Sequence, residues 1–81
     1  MRLEYVPHFQ RGFVKLPKGI QSKFEKQVVH LLSDIRYPSL RAKKYDEDED
    51  VWQARVDDHY RFYFQIKGDC YMFLRIEGHK D

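Results

Sequence analysis

The 81-residue chain has one cysteine, one tryptophan, three prolines and four glycines. A lone thiol, Cys70, closes no internal disulfide and has no second cysteine with which to share a structural zinc, so it reads as a small apolar filler in a strand and fits a reducing compartment. No window approaches the roughly 18 consecutive apolar residues of a membrane span. The start, Met1-Arg2-Leu3-Glu4-Tyr5, lacks the charged-then-apolar layout of a secretory signal, and the chain is expected in the cytoplasm without a membrane partner. His8, His30, His59 and His79 are joined by no His-x-x-x-His or Cys-x-x-Cys spacing, so no metal site is expected. Glycine-rich phosphate loops and serine nucleophile elbows are missing too. With no repeat or low-complexity linker, residues 1–81 read as a single domain.

What the chain does have is grease and charge. Hydrophobic residues make up 42%, aromatics 16% and charged residues 35%, a composition that can fill one small core and is not that of a disordered tail. The formal net charge of +2 is an average over unlike stretches. Residues 1–45 carry +7, the block Asp46-Glu47-Asp48-Glu49-Asp50 carries −5, and residues 51–81 balance. A basic surface beside one acidic loop follows, and basic surfaces attract nucleic acid or acidic partners. Five consecutive acids by themselves read as a solvated loop.

Hydrophobic periodicity orders the elements. Residues 1–6 alternate as a half-buried strand that stops at Pro7. Pro7 suits the first turn of a helix in which Phe9, Phe13 and Leu16 share a face, and Pro17 closes it. A second helix follows, with Ile20, Phe24, Val28, Leu31, Leu32 and Ile35 as its apolar stripe and Lys23, Lys26 and His30 facing away. So short a connection folds the two helices into a hairpin covering one face of a sheet. Tyr37-Pro38-Ser39-Leu40 reads as a turn and Arg41–Tyr45 as a possible short strand. From Val51 the period changes to two, with strands over Val51–Val56, Tyr60–Ile66 and Cys70–Ile76 joined by Asp57-Asp58-His59 and by Gly68-Asp69. The predicted class is α+β: an N-terminal strand, a helical hairpin, then an antiparallel β-meander.

The strand polarity locates a candidate site. Opposite the Trp52, Ala54 and Val56 face lie Gln53, Arg55, Arg61, Tyr63 and Gln65. If the Asp57-Asp58-His59 turn pairs Val56 with Tyr60, Arg55 faces Arg61 directly, and two facing guanidinium groups suit a bound anion such as phosphate. The competing reading is that Asp57, Asp58 or the acidic block pairs these arginines. A strict two-residue turn at Gly68-Asp69 would bury Arg75 among Phe62 and Phe64; a three-residue loop or a bulge would instead turn it toward Arg55 and Arg61. Gly78 lets the chain turn and present His79 and Lys80 at the edge of that face.

Several segments resemble the RelE/ParE superfamily of type II toxin–antitoxin toxins. They are Phe9 to Leu16-Pro17 with Ile20-Gln21, Pro38-Ser39-Leu40-Arg41 with Lys43-Lys44, Val51-Trp52-Gln53-Ala54-Arg55-Val56, Tyr60-Arg61-Phe62, Ile66-Lys67-Gly68-Asp69, Arg75-Ile76 and Gly78-His79. The resemblance implies the RelE-like fold, a cognate antitoxin and no cofactor. RelE-like members cleave mRNA in the ribosomal A site through attack of the ribose 2′-OH on the adjacent phosphate; ParE-like members poison DNA gyrase without catalysis. Carried over by position, Arg55 and Arg61 bind and stabilise the phosphate and His79 is the acid or base. Lys43, Lys44, Gln53, Arg75 and Lys80 contact substrate. Gln53 stands where some ribonuclease members carry a basic residue, and the chain lacks the tyrosine that follows the terminal motif in many of them. The open functions are an mRNA endoribonuclease acting with the ribosome, a gyrase inhibitor, and an inactive antitoxin-binding module.

Overall fold

The computed structural model describes residues 1–78. Strand β1 (Arg2–Tyr5) leads into helix α1 (Pro7–Val14) and helix α2 (Lys18–Ser33). A short 3-10 turn (Pro38–Leu40) precedes β2 (Lys43–Asp46), β3 (Val51–Arg55), β4 (Tyr60–Lys67) and β5 (Cys70–Gly78). Pro7 sits in the first turn of α1, where its missing N–H leaves no bond unmade. Gln21 closes the helical corner, its Nε2 donating to the carbonyl of Phe13 (3.0 Å), which also accepts from the Leu16 amide (3.1 Å), and to that of Leu16 (3.1 Å).

The five strands form one sheet in the order β1-β5-β4-β3-β2. The meander β2 to β5 is antiparallel as expected, whereas β1 joins the edge of β5 in parallel, with Arg2 beside Cys70 and Tyr5 beside Phe73. Both helices cover one face of the sheet. Phe9 and Phe24 meet Phe62 and Phe73 there, all four essentially inaccessible to water, with Phe24 set edge-on to Phe62 at 5.1 Å and to Phe73 at 5.5 Å. Leu32, expected in the apolar stripe of α2, is 42% exposed, because Phe24, Val28 and Leu31 fill the contact with the sheet. Cys70 is buried in β5, where desolvation and then the Glu4 carboxylate push its thiol pKa up.

The β4–β5 hairpin turns on the two residues Gly68 and Asp69, with Lys67 paired to Cys70 and Gly68 at φ +60°. That left-handed first turn position is natural for glycine. Farther along, Phe64 pairs with Phe73 while its neighbour Tyr63 pairs with Arg75, so Leu74 is an extra residue in β5. This bulge brings Arg75 to the face away from the helices, beside Tyr63.

Candidate functional site

The face away from the helices is built from strand pairing alone. Val56 donates its N–H to the carbonyl of Tyr60 (2.9 Å) across the β3–β4 turn, which sets Arg55 directly opposite Arg61. The turn is held by Asp57, whose Oδ1 accepts from the amides of His59 (2.8 Å) and Tyr60 (2.9 Å) and whose Oδ2 accepts from Lys23 Nζ (3.2 Å). Burial pushes the Asp57 pKa up, but the two amides and the Lys23 ammonium outweigh it, so the carboxyl lies below its ordinary range.

The two arginines are held differently. Arg55 donates from Nη2 to Asp58 Oδ1 at 2.6 Å. Arg61 donates from Nη1 to the carbonyls of Asp57 (2.7 Å) and Tyr60 (3.0 Å), and among the described residues no carboxylate forms an ion pair with it. Its charge therefore stays available to an anion while neutral acceptors fix its orientation. Glu77 is Arg61's register partner on β5, yet its Oε1 instead accepts from Arg75 Nε at 3.3 Å. The acidic block pairs neither Arg55 nor Arg61.

An open pocket of about 360 Å³ lies over this pair, lined by Arg41, Lys43, Gln53, Ala54, Arg55 and Arg61. Four cationic side chains surround it. Arg41 reaches it from the end of the 3-10 turn, where its backbone is left-handed at φ +46°. A wider groove of about 510 Å³ shares Arg41 and Arg55 and extends onto α2 past Lys23, Lys26 and His30.

In the wider groove, Gln27 of α2 is buried, and its Nε2 donates to the carbonyls of Ser39 (3.1 Å) and Arg55 (2.8 Å). Its Oε1 accepts from Ser39 Oγ at 2.9 Å. One amide thus locks α2, the turn that carries Arg41, and the end of β3 that carries Arg55. Beside the pocket, Gln53 donates from Nε2 to the phenolic oxygen of Tyr63 at 3.0 Å, both side chains being buried. The Arg75 guanidinium lies 4.0 Å from the centre of the Tyr63 ring, and the exposed Tyr45 ring meets Tyr63 edge-on at 4.9 Å.

The structure thus brings Arg55, Arg61, Lys43, Gln53 and Arg75 onto one face. It does not bring Lys44 there. Lys44 pairs with Trp52 across β2 and β3, its ammonium lies over the Trp52 ring, and it bonds Asp50 and Glu47 of the acidic turn. Alternation along β2 is the reason: adjacent lysines point to opposite faces, so Lys43 enters the pocket and Lys44 cannot. His79 and Lys80 lie outside the described residues. Arg41, Gln27, Tyr45 and Glu77 were not singled out by the sequence. Arg41 had two signals, its place in the basic stretch before the acidic block and in the segment Pro38-Ser39-Leu40-Arg41; Tyr45 had one, its spacing of two from Lys43 in the expected strand, and Gln27 and Glu77 had none. Among the described residues no group of three or more His, Cys, Asp or Glu side chains is placed to hold a metal.

The fold defined by these elements is a compact α+β sheet with a helical hairpin on one face and a basic pocket on the other. No family model and no curated protein matches the sequence. Solved structures do match. A YoeB/ParE toxin from Agrobacterium tumefaciens aligns with a TM-score of 0.82 at 12% identity, over 99% of this chain and 100% of that one. YafQ from E. coli aligns at 0.76 with 16% identity, covering 98% and 94% of the two chains. An archaeal RelE-RelB complex from Pyrococcus horikoshii gives 0.77 with 17% identity, covering 95% and 92%. The chain has the RelE-like fold of these structures, spanned essentially end to end.

Proposed function

We propose that this chain is the toxin of a type II toxin–antitoxin pair and that it cleaves mRNA on the ribosome, with a cognate antitoxin as its inhibitor. The reading rests on one observation: Arg55 and Arg61 face each other at the floor of an open pocket that Arg41 and Lys43 complete. Cross-strand arginines repel each other, and a bound phosphate relieves that repulsion. The similar structures include toxin–antitoxin complexes, which supports an antitoxin as partner.

The chemistry needs no cofactor because the nucleophile belongs to the substrate. The ribose 2′-oxygen attacks the adjacent phosphorus, the 2′-OH proton passes to a base, the bond from phosphorus to the 5′-oxygen breaks, and that oxygen takes up a proton. A cyclic phosphate and a free 5′-hydroxyl result. Negative charge builds on the non-bridging oxygens during attack, and Arg61, oriented by two carbonyls and free of a carboxylate among the described residues, is placed to bind it. Arg55 and Lys43 hold the flanking charge. The acid or base role goes to His79, and a further phosphate contact to Lys80, by the resemblance.

Cleavage of mRNA on programmed ribosomes tests this. Arg61→Ala should lower the cleavage rate about 100- to 1,000-fold, the usual loss for one preorganised donor at a developing oxyanion. Arg61→Lys should recover little, since an ammonium cannot reproduce the planar fork. Intact mRNA with the unsubstituted protein, together with inhibited supercoiling, would replace this reading with gyrase inhibition. Inactivity in both assays with tight antitoxin binding would leave an antitoxin-binding module.

A further inference from the structure

Two bulges lie beside the row of side chains next to the arginine pair. In β5 the extra Leu74 sets Arg75 opposite Tyr63. In β2 the register slips between Lys44 and Asp46 and leaves Tyr45 outside the pairing with β3, while alternation from Lys43 keeps Tyr45 on the pocket face, where its ring meets that of Tyr63. Bulges beside functional sites commonly re-aim single side chains. Here the β5 bulge re-aims Arg75 onto Tyr63, and Tyr45 reaches the same ring from β2, across β3.

The result is graded in exposure. Tyr63 is 4% exposed and Tyr45 is 53% exposed. The Arg75 guanidinium lies 4.0 Å from the Tyr63 ring centre and 5.5 Å from that of Tyr45, and its side chain is 34% exposed. Glu77 fixes it through Nε, and Gln53 fixes Tyr63 through its hydroxyl. A flat aromatic ring and a flat guanidinium are thus held at the surface, both against the buried Tyr63 and the guanidinium also by the exposed Glu77. Lys43 lies two residues from Tyr45 on β2 and Arg61 two residues from Tyr63 on β4, so this platform is one strand repeat, about 6–7 Å, from the anion pocket.

We propose that Tyr45 and Arg75 form a stacking platform for an unpaired nucleobase, the base of a nucleotide next to the phosphate held by Arg55 and Arg61. Stacking on an aromatic face tolerates any base and adds to charge-driven phosphate binding without reading sequence. The proposal rests on the nucleic-acid reading of the pocket, and it goes further by giving the site a subsite for the base and naming Tyr45.

The test uses the full chain and short single-stranded RNA made uncleavable by 2′-O-methyl groups, carrying either 2-aminopurine or an abasic nucleotide at each position in turn. At one position 2-aminopurine fluorescence should be quenched on binding, and the abasic probe should bind about tenfold more weakly. Tyr45→Ala should abolish both effects and Tyr45→Phe should keep them. Arg61→Ala should weaken intact and abasic probes by equal factors. Equal affinity for intact and abasic probes at every position, or a Tyr45→Ala variant indistinguishable from the parent, overturns the platform. The ribosome assay separates the two claims. Base-dependent binding without mRNA cleavage upholds the platform and removes the endoribonuclease, whereas cleavage unaffected by Tyr45→Ala, with no base dependence, does the reverse.

Discussion

Gln27 shows how much one buried side chain can determine. Its amide donates to two main-chain carbonyls and accepts from one hydroxyl, which satisfies most of its bonding capacity inside the protein. Gln27→Leu has nearly the same size but leaves the Ser39 and Arg55 carbonyls without that donor, each worth about 1–3 kcal/mol where water cannot replace it. Chemical denaturation should show a loss of that order. Gln27→Glu is the sharper variant. An ionised carboxylate only accepts, so it would face the two carbonyl oxygens with nothing to donate. The variant should be less stable than Gln27→Leu at neutral pH and regain stability on acidification as the carboxyl protonates, a reversal of the usual acid trend. Asp57 supplies the ordinary trend for comparison. Its pKa is depressed in the folded protein, so its contribution is present above the unfolded carboxyl value of about 3.9 and is lost as pH falls through the lower folded value. Asp57→Asn keeps an oxygen for the His59 and Tyr60 amides and removes the charge. Its stability should therefore fall less steeply than the parent's over that acid range, which pH-dependent unfolding reads directly.

Among the elements, the hairpins were readable and the edges were not. The Asp57-Asp58-His59 turn and the alternation of Val51–Val56 against Tyr60–Ile66 were enough to set Arg55 opposite Arg61, because local turn length determines antiparallel register. Arg75 was readable as far as a choice between a bulge and a longer loop, since a charge among Phe62 and Phe64 was untenable; the structure selects the bulge. The parallel pairing of β1 with β5 had no such local signal, as some 64 residues separate Tyr5 from Cys70 and only packing decides which edge β1 joins. Tyr45 was hidden because, although it shares a face with Lys43, its partner Tyr63 lies two strands away across β3, and Gln27 because a polar residue in a helix reads as solvent-facing until its partners are seen. The turn at Gly68 offers a check on this hairpin. With φ +60° and no atom near its missing Cβ, Gly68→Ala meets backbone strain but no clash, and should cost about 1 kcal/mol in thermal or chemical unfolding without moving Arg75.

Across the whole molecule, the acidic block and the basic pocket are kept apart by the length of β3. The acidic turn precedes Val51 and the arginine pair begins at Arg55, four residues on, or about 13 Å along an extended strand. Lys44 neutralises part of the block, bonding Asp50 and Glu47, and Gln65 ties the turn down by donating to the Glu49 carbonyl at 2.8 Å. The block therefore repels a polyanion only at long range. Such repulsion is screened over about 8 Å at physiological ionic strength and over about 30 Å at 0.01 M salt. Asp48→Asn with Glu49→Gln removes two exposed charges and leaves the Glu49 carbonyl in place. In fluorescence titrations with single-stranded RNA, that pair should strengthen binding at 0.01 M salt and have almost no effect at 0.15 M. Lys43→Ala should behave otherwise, weakening binding at both salts and lowering the slope of log affinity against log salt by about 0.7, the value for one single-strand phosphate contact. If the acidic-block variant instead strengthens binding equally at both salts, the turn lies against the bound strand, and the anion path runs along β3 toward the acidic end and not across the arginine pair.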